Sequence, residues 1–309
     1  MDKIAVVGSG RVGESATLFL AQQNLAKEVV LLDVKGDYAA GTALDIAQTA
    51  PIFRFDTRVI GTGDMSAMRD AQIVVVTAGF PRKPGMSRSD VLQSNVQIID
   101  SVVENVVKYA PDSIILVVSN PVDIITYRAF KQARFPRNRV FGQAGVLDSA
   151  RMATFIALET GYSAKDINAM VLGGHGDSMV PMMRYTTING ISVERFLTPE
   201  QAEAIVHRTR VGGAEVLKLK EISSAYQAPG AATVEMVDAI VHDRKRILPT
   251  VCMLDGEYQE KDIAMGVPAV LGKNGMEKVI ELELTPAEQK MFTDSVNSVR
   301  QDVDALAKL

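Results

Sequence analysis

Short, unbroken apolar runs recur through the first half of the chain, separated by longer mixed segments. Ile4–Val7, Val29–Leu32, Val59–Ile60, Ile73–Val76, Ile114–Val118 and Val140–Phe141 read as strands. Continuous rather than alternating hydrophobicity suits strands covered on both faces, as in a parallel sheet. Between them, residues 11–22, 38–47, 90–109 and 123–133 carry helical periodicity. This alternation predicts an α/β fold with a doubly wound parallel sheet. After about residue 143 the rhythm changes. Helical patterns fall at 148–160, 199–219, 233–241 and 286–309, and mixed strands at 167–172, 179–186, 247–254 and 266–271. Leu254-Asp255-Gly256-Glu257 predicts a hairpin with a type I′ turn, because Asp-Gly accepts positive φ at both central positions. The expected architecture is a nucleotide-binding domain over 1–143 and an α+β substrate domain over 144–309, with a cleft between them.

The chain's 309 residues fit roughly two domains of about 150 residues each. A net charge of -4 gives no electrostatic reason to expect nucleic acid or a membrane surface as partner. The single cysteine, Cys252, excludes an internal disulfide and Cys-rich metal sites, and fits a cytoplasmic protein. The longest aliphatic runs are too short to span a bilayer. The opening Met1-Asp2-Lys3 leads directly into a strand, unlike a signal peptide. No metal site is expected.

Gly8-Ser9-Gly10-Arg11-Val12-Gly13 follows the first strand and opens the first helix. In a dinucleotide fingerprint Gly8 permits the tight turn, Gly10 admits a pyrophosphate to the backbone, and Gly13 lets helix pack on strand. The free N–H groups of the helix N-terminus then face the phosphates. Asp33, twenty residues past Gly13, ends the second strand. Its carboxylate suits ribose hydroxyls and repels a 2′-phosphate, which favours NAD over NADP. The plain alternative is a glycine turn followed by a chance aspartate. Ser119-Asn120-Pro121 sits where the sheet meets its ligand crevice. Asn120 reads equally as a contact to nicotinamide ribose or substrate and as a turn residue, and its bond to Pro121 is a candidate cis peptide.

Of three histidines, His207 and His242 lie in charged helical surroundings and read as solvated or structural. His175, in Gly173-Gly174-His175-Gly176-Asp177, follows a strand and is uncrowded. An imidazole there could exchange a proton near neutral pH. Asp148 and Arg151 share a helix face at a spacing of three. They are either a surface ion pair or a functional set. In the second case Asp148 accepts the far N–H of His175 and Arg151 grips a substrate carboxylate. Residues 79–90 form a Pro/Gly loop bearing Arg82, Lys83 and Arg88. It is either a solvated basic loop or a lid over an anionic substrate.

Taken together, these motifs resemble the lactate/malate dehydrogenase family over essentially the whole length. The carriers are Gly8–Gly13, Asp33, residues 77–79, residues 81–88, residues 118–123, residues 147–151 and residues 174–177. Within the family the chain is most similar to the lactate-dehydrogenase-like malate dehydrogenases. The resemblance implies that NAD contacts Gly8, Ser9, Gly10, Arg11, Val12, Gly13, Asp33, Asn95, Val118, Ser119 and Asn120. It makes His175 the proton acceptor, paired to Asp148. Arg82, Arg88, Asn120 and Arg151 become substrate contacts, with Arg88 polarising the carbonyl. Arg82 carries the specificity implication, since lactate dehydrogenases of the family typically place glutamine there. The second carboxylate of oxaloacetate needs a partner in a dry site. The resemblance also implies a homo-oligomer, dimer or tetramer. Two rivals stay open: a lactate or other 2-hydroxyacid dehydrogenase, and a non-catalytic NAD-binding sensor.

Overall fold

A computed structural model describes residues 1–80 and 88–306, without side-chain detail for 88–91. The first half runs β1 (Lys3–Val7), α1 (Arg11–Gln22), β2 (Glu28–Leu32), α2 (Gly36–Gln48), α3 (Ala50–Phe53), β3 (Arg58–Thr62), β4 (Ile73–Val76), α4 (Arg88–Tyr109), β5 (Ile114–Val117), α5 (Val122–Ala133) and β6 (Val140–Gln143). Every residue of β4, β5 and β6 is buried, which is why these strands read as solid apolar runs. The edge strand β3 is only partly buried.

The second half runs α6 (Gly145–Thr160), β7 (Ile167–Asn168), β8 (Val171–Leu172), β9 (Val180–Pro181), β10 (Thr187–Ile188), β11 (Ile191–Ser192), α7 (Pro199–Lys220), α8 (Gln227–Val241), β12 (Arg246–Asp255), β13 (Lys261–Gly272), β14 (Gly275–Val279) and α9 (Pro286–Leu306). The main sheet has nine strands in the order β14-β13-β12-β6-β5-β4-β1-β2-β3. Its parallel part, β1 to β6, has the doubly wound order, which reverses between β1 and β4 and opens a crevice at their carboxyl ends. The long hairpin of the second half continues the same sheet. β12 pairs antiparallel with β6 through Gly142↔Val251 and Gln143↔Thr250. Buried residues from both halves, such as Val75, Leu116, Val251 and Met265, belong to one hydrophobic cluster. A separate cluster around Met152, Ile156, Met179 and Ile205 lies wholly in the second half.

Several expected elements differ. Residues 167–172 form two two-residue strands, β7 and β8, and 179–186 give only β9 followed by a turn at Met183–Tyr185. The hairpin joins the expected strands without a type I′ turn. Gly256 has φ 120°, but Asp255 is not left-handed, and positive φ recurs at Tyr258 and Gln259. The link closes over five residues through Gly256 N–H to the Glu260 carbonyl at 2.8 Å. Glu257 directs it, accepting from Asp255 N–H at 2.8 Å while pairing with Arg137 at 2.8 Å. Helix α8 begins six residues earlier than the periodicity suggested. Pro229 is tolerated in its first turn, where no helical N–H partner is needed. Gly230 abuts α1, where a Cβ would lie 2.7 Å from Ser15 Oγ. Glycine at this position therefore serves close packing.

Candidate active site

At the crevice lies a cleft of about 890 Å³, walled by the β1–α1 turn, the end of β2, the loop after β4 and the inner face of α4. The three fingerprint glycines do three different jobs. Gly8 is left-handed at φ 106°, and a Cβ there would sit 2.6 Å from the backbone nitrogen of Ala78. At Gly13 a Cβ would lie 1.8 Å from the carbonyl oxygen of Gly8, so only glycine lets α1 seat on the strand. At Gly10 a Cβ would meet nothing within 4 Å, and the residue faces the cleft. It is also the N-cap of α1 and offers no side-chain cap. The helix N-terminus therefore presents uncapped N–H groups to open space, which fits a pyrophosphate.

Asp33 lines the cleft beside the glycine turn. Its Oδ2 accepts Ser9 N–H at 2.8 Å and its Oδ1 accepts Lys35 N–H at 2.9 Å. Partial burial works to raise this carboxyl, but the hydrogen bonds from Lys35 and Ser9 outweigh it and hold the group below its ordinary value. The carboxylate is charged and fixed where ribose hydroxyls would dock. These residues fit NAD. Arg11 lines the cleft with its guanidinium 5.5 Å from the ring centre of Tyr226, and Val12 packs on the core. Val118 and Ser119 are buried, and Ser119 donates to the Ala78 carbonyl at 2.6 Å. The cleft also enlists Val34, Tyr38, Gln97 and Ile98, which sequence reasoning missed. The helical periodicity of 90–109 was the only signal for the last two.

Asn95 is 4% exposed, and its amide is committed to backbone groups. It accepts Phe80 N–H at 2.7 Å and donates to the Asn120 carbonyl at 2.8 Å. It thereby braces the loop after β4 against the Asn120–Pro121 peptide, which is cis. The Asn120 side chain is exposed. Arg82 lies outside the described residues, as does the side chain of Arg88.

The second cluster unites residues far apart in sequence. His175 Nδ1 lies 2.8 Å from Asp148 Oδ2, and Arg151 donates to Asp148 Oδ1 at 3.1 Å. The Asp148 side chain is 2% exposed, Arg151 16% and His175 19%, so the acid is sealed while the imidazole and guanidinium reach solvent. Burial works to lower the His175 pKa. The charge and hydrogen bond of Asp148, aided by Asp123, outweigh it and raise the value. Asp148 accepting at Nδ1 leaves Nε2 with the lone pair, the tautomer a general base needs.

The histidine loop is held by two side chains to which the sequence reading gave no role. Gly174 N–H donates to Ser295 Oγ and His175 N–H to Asp123 Oδ2, both at 2.8 Å. Burial pushes the Asp123 carboxyl up to about 6, against the lowering effect of the His175 N–H. Of the other histidines, His207 is exposed and His242 pairs with Asp238 at 2.9 Å on the surface.

Two family models match nearly the whole chain. The lactate/malate dehydrogenase NAD binding domain covers residues 2–142, and the lactate/malate dehydrogenase alpha/beta C-terminal domain covers 145–309. The chain belongs to the lactate/malate dehydrogenase family. Among relatives, the malate dehydrogenase of Thioalkalivibrio sulfidiphilus is 61% identical over 306 residues, spanning 99% of this chain and 100% of its own. That of Pseudomonas putida is 52% identical over 309 residues and the full length of both chains. Solved family members superpose closely. The malate dehydrogenase of Salinibacter ruber gives a TM-score of 0.95 at 44% identity, covering 99% of this chain and 98% of its own. The lactate dehydrogenase of Cryptosporidium parvum, solved with lactic acid and nicotinamide adenine dinucleotide, gives 0.96 at 39% identity, covering 100% and 98%. Backbone shape therefore does not separate the two activities within this family.

Proposed function

We propose that this protein catalyses the reversible, NAD-dependent oxidation of (S)-malate to oxaloacetate. The observation that carries the reading is the 2.8 Å link between His175 Nδ1 and Asp148 Oδ2, with Arg151 on the same carboxylate. NAD, when bound, supplies the hydride acceptor. His175 takes the malate hydroxyl proton at Nε2, and Asp148 fixes the ring and stabilises the imidazolium that forms. One Arg151 donor is engaged by Asp148, and the rest of its fork is assigned to the carboxylate next to the reacting carbon. Asn120 and Arg88 complete the substrate contacts, with Arg88 at the carbonyl oxygen. Gly8 to Arg11 and Asp33 line the cofactor cleft, Val12, Gly13, Val118 and Ser119 back it, and Asn95 braces it. In this reading residues 1–143 bind cofactor and 144–309 supply the proton-transfer machinery. The protein works in the cytoplasm as a homo-oligomer, dimer or tetramer.

The choice of malate over lactate rests on two supports. Relatives at 61% and 52% identity over 99% and 100% of the chain are malate dehydrogenases. Arg82 supplies a cation for the second carboxylate of oxaloacetate. Leaving a buried charge unpaired costs about 3–5 kcal/mol, which corresponds to roughly a hundred- to a few-thousandfold in rate. NADH oxidation with oxaloacetate and pyruvate side by side tests the reading. Oxaloacetate is expected to be turned over far faster, and Arg82→Gln should shrink the oxaloacetate/pyruvate ratio by about two orders of magnitude or more. Preference for pyruvate in the parent protein would transfer it to the lactate dehydrogenases. NADH binding without turnover of either would make it a sensor.

A further inference from the structure

We propose that Asp123 is a positioning residue for His175, clamping the backbone of the histidine loop from the cofactor-binding half of the chain and setting a second negative charge, beside that of Asp148, near the imidazole. The inference rests on His175 being the proton acceptor. Asp123 occupies the first turn of α5, where an acid ordinarily serves the helix dipole from an exposed position. This one is 5% exposed. Its Oδ2 accepts His175 N–H at 2.8 Å, and its buried Oδ1 has no partner among the described residues. A carboxylate is costly in such a place unless something there requires it.

The loop supplies the requirement. His175 is flanked by Gly173 at φ 87°, Gly174, and Gly176 at φ 115°, so its backbone has little intrinsic stiffness. Three acceptors from three elements fix consecutive N–H groups: the Gly266 carbonyl of β13 takes Gly173, Ser295 of α9 takes Gly174, and Asp123 takes His175. Asp123 is the only clamp among the three drawn from the first half, and it stands three residues after Asn120. It therefore ties the proton acceptor to the backbone that carries a proposed substrate contact. The charged groups acting on His175 from the packed elements are Asp148 and Arg151 of α6 and Asp123 of α5. The loop's contacts on β13 and α9 are uncharged.

Asp123→Leu removes acceptor and charge, whereas Asp123→Asn keeps an acceptor oxygen and removes the charge. Both are compared with the parent and with His175→Asn for kcat, KM for oxaloacetate, NADH affinity and the pH profile of oxaloacetate reduction. Misplacing a reacting group by about 1 Å costs about a hundredfold, so Asp123→Leu should lose about that much kcat with NADH affinity unchanged. Asp123→Asn should recover at least about tenfold of the loss. Its basic limb should move to lower pH, because one negative charge holding the proton on His175 is gone. A folded Asp123→Leu with parental kcat, or an Asp123→Asn profile superimposable on the parent's, overturns the proposal. If Asp123→Leu does not fold, the Asp123→Asn profile decides alone: a shift supports the proposal and superposition overturns it. Full turnover by His175→Asn instead overturns the functional reading beneath it.

Discussion

The cofactor cleft and the histidine cluster are built on opposite plans. The cleft is mostly backbone. Its decisive residues are glycines, which act by what they lack, and one aspartate fixed by two backbone N–H groups. The histidine cluster is mostly side chain. Asp123, Asp148, His175 and Ser295 come from four separate stretches of sequence and meet over hydrogen bonds of 2.8 Å. A recognition site for a large ligand can be laid down by one strand-turn-helix. A proton-transfer site needs charges set at fixed distances in a poorly solvated place, and only tertiary structure brings them together.

The contrast is sharpest in what single substitutions should do. His175→Asn should lower turnover by about 10²–10⁴-fold while NADH binding, followed by fluorescence titration, stays at the parental value. Loss of both together would mean that the two regions are not separable.

Within the cleft, two alanine substitutions should part company. Gly13→Ala drives a methyl into the Gly8 carbonyl and should cost about 1–3 kcal/mol of folding stability. Gly10→Ala places its methyl in open space, so urea unfolding of the apo protein should change by less than about 1 kcal/mol while NADH affinity falls. Equal stability losses for the two would contradict the division of labour among the glycines.

The smallest effect is a pH dependence centred on the histidine cluster. His175 has a raised pKa in the folded protein, so the stability it contributes is fully present below its unfolded value near 6.5 and is lost as pH rises through the folded value. Asp123 is shifted the same way, from 3.8 to about 6, so its share is lost across that lower interval. Both make unfolding easier as pH rises through the weakly acid and neutral range. Asp123→Asn should flatten the lower part of the curve and His175→Asn the upper part. A curve unchanged by either would show that the cluster is not electrostatically coupled to folding.

The two regions also differ in how plainly the sequence announces them. Buried parallel strands declare themselves as Ile73–Val76 or Ile114–Val117 because both faces must be apolar, and Gly8 to Gly13 with Asp33 lie within one local unit. Two-residue strands such as β7 to β11 are too short to show a period, and no local pattern shows that Gly230 packs against α1. His175 and Asp148 stood out by residue type and neighbourhood. Asp123 appeared only as the end of a family-like motif without a role, and Ser295 not at all, because an acceptor for a distant backbone N–H leaves no local trace. Nor did any pattern announce that β12 would join β6, since an antiparallel pairing across a hundred residues is decided by packing alone.

That last pairing bears on modularity. Two family models meet at residues 142 and 145, which looks like a cut line between interchangeable parts. The cut falls at the very end of β6, where Gly142 and Gln143 pair with the other part. Severing the chain there would strip one flank of a buried strand and open a raw, adhesive edge on each fragment. The boundary that similarity draws is a seam in descent, and mechanically the protein is a single plate.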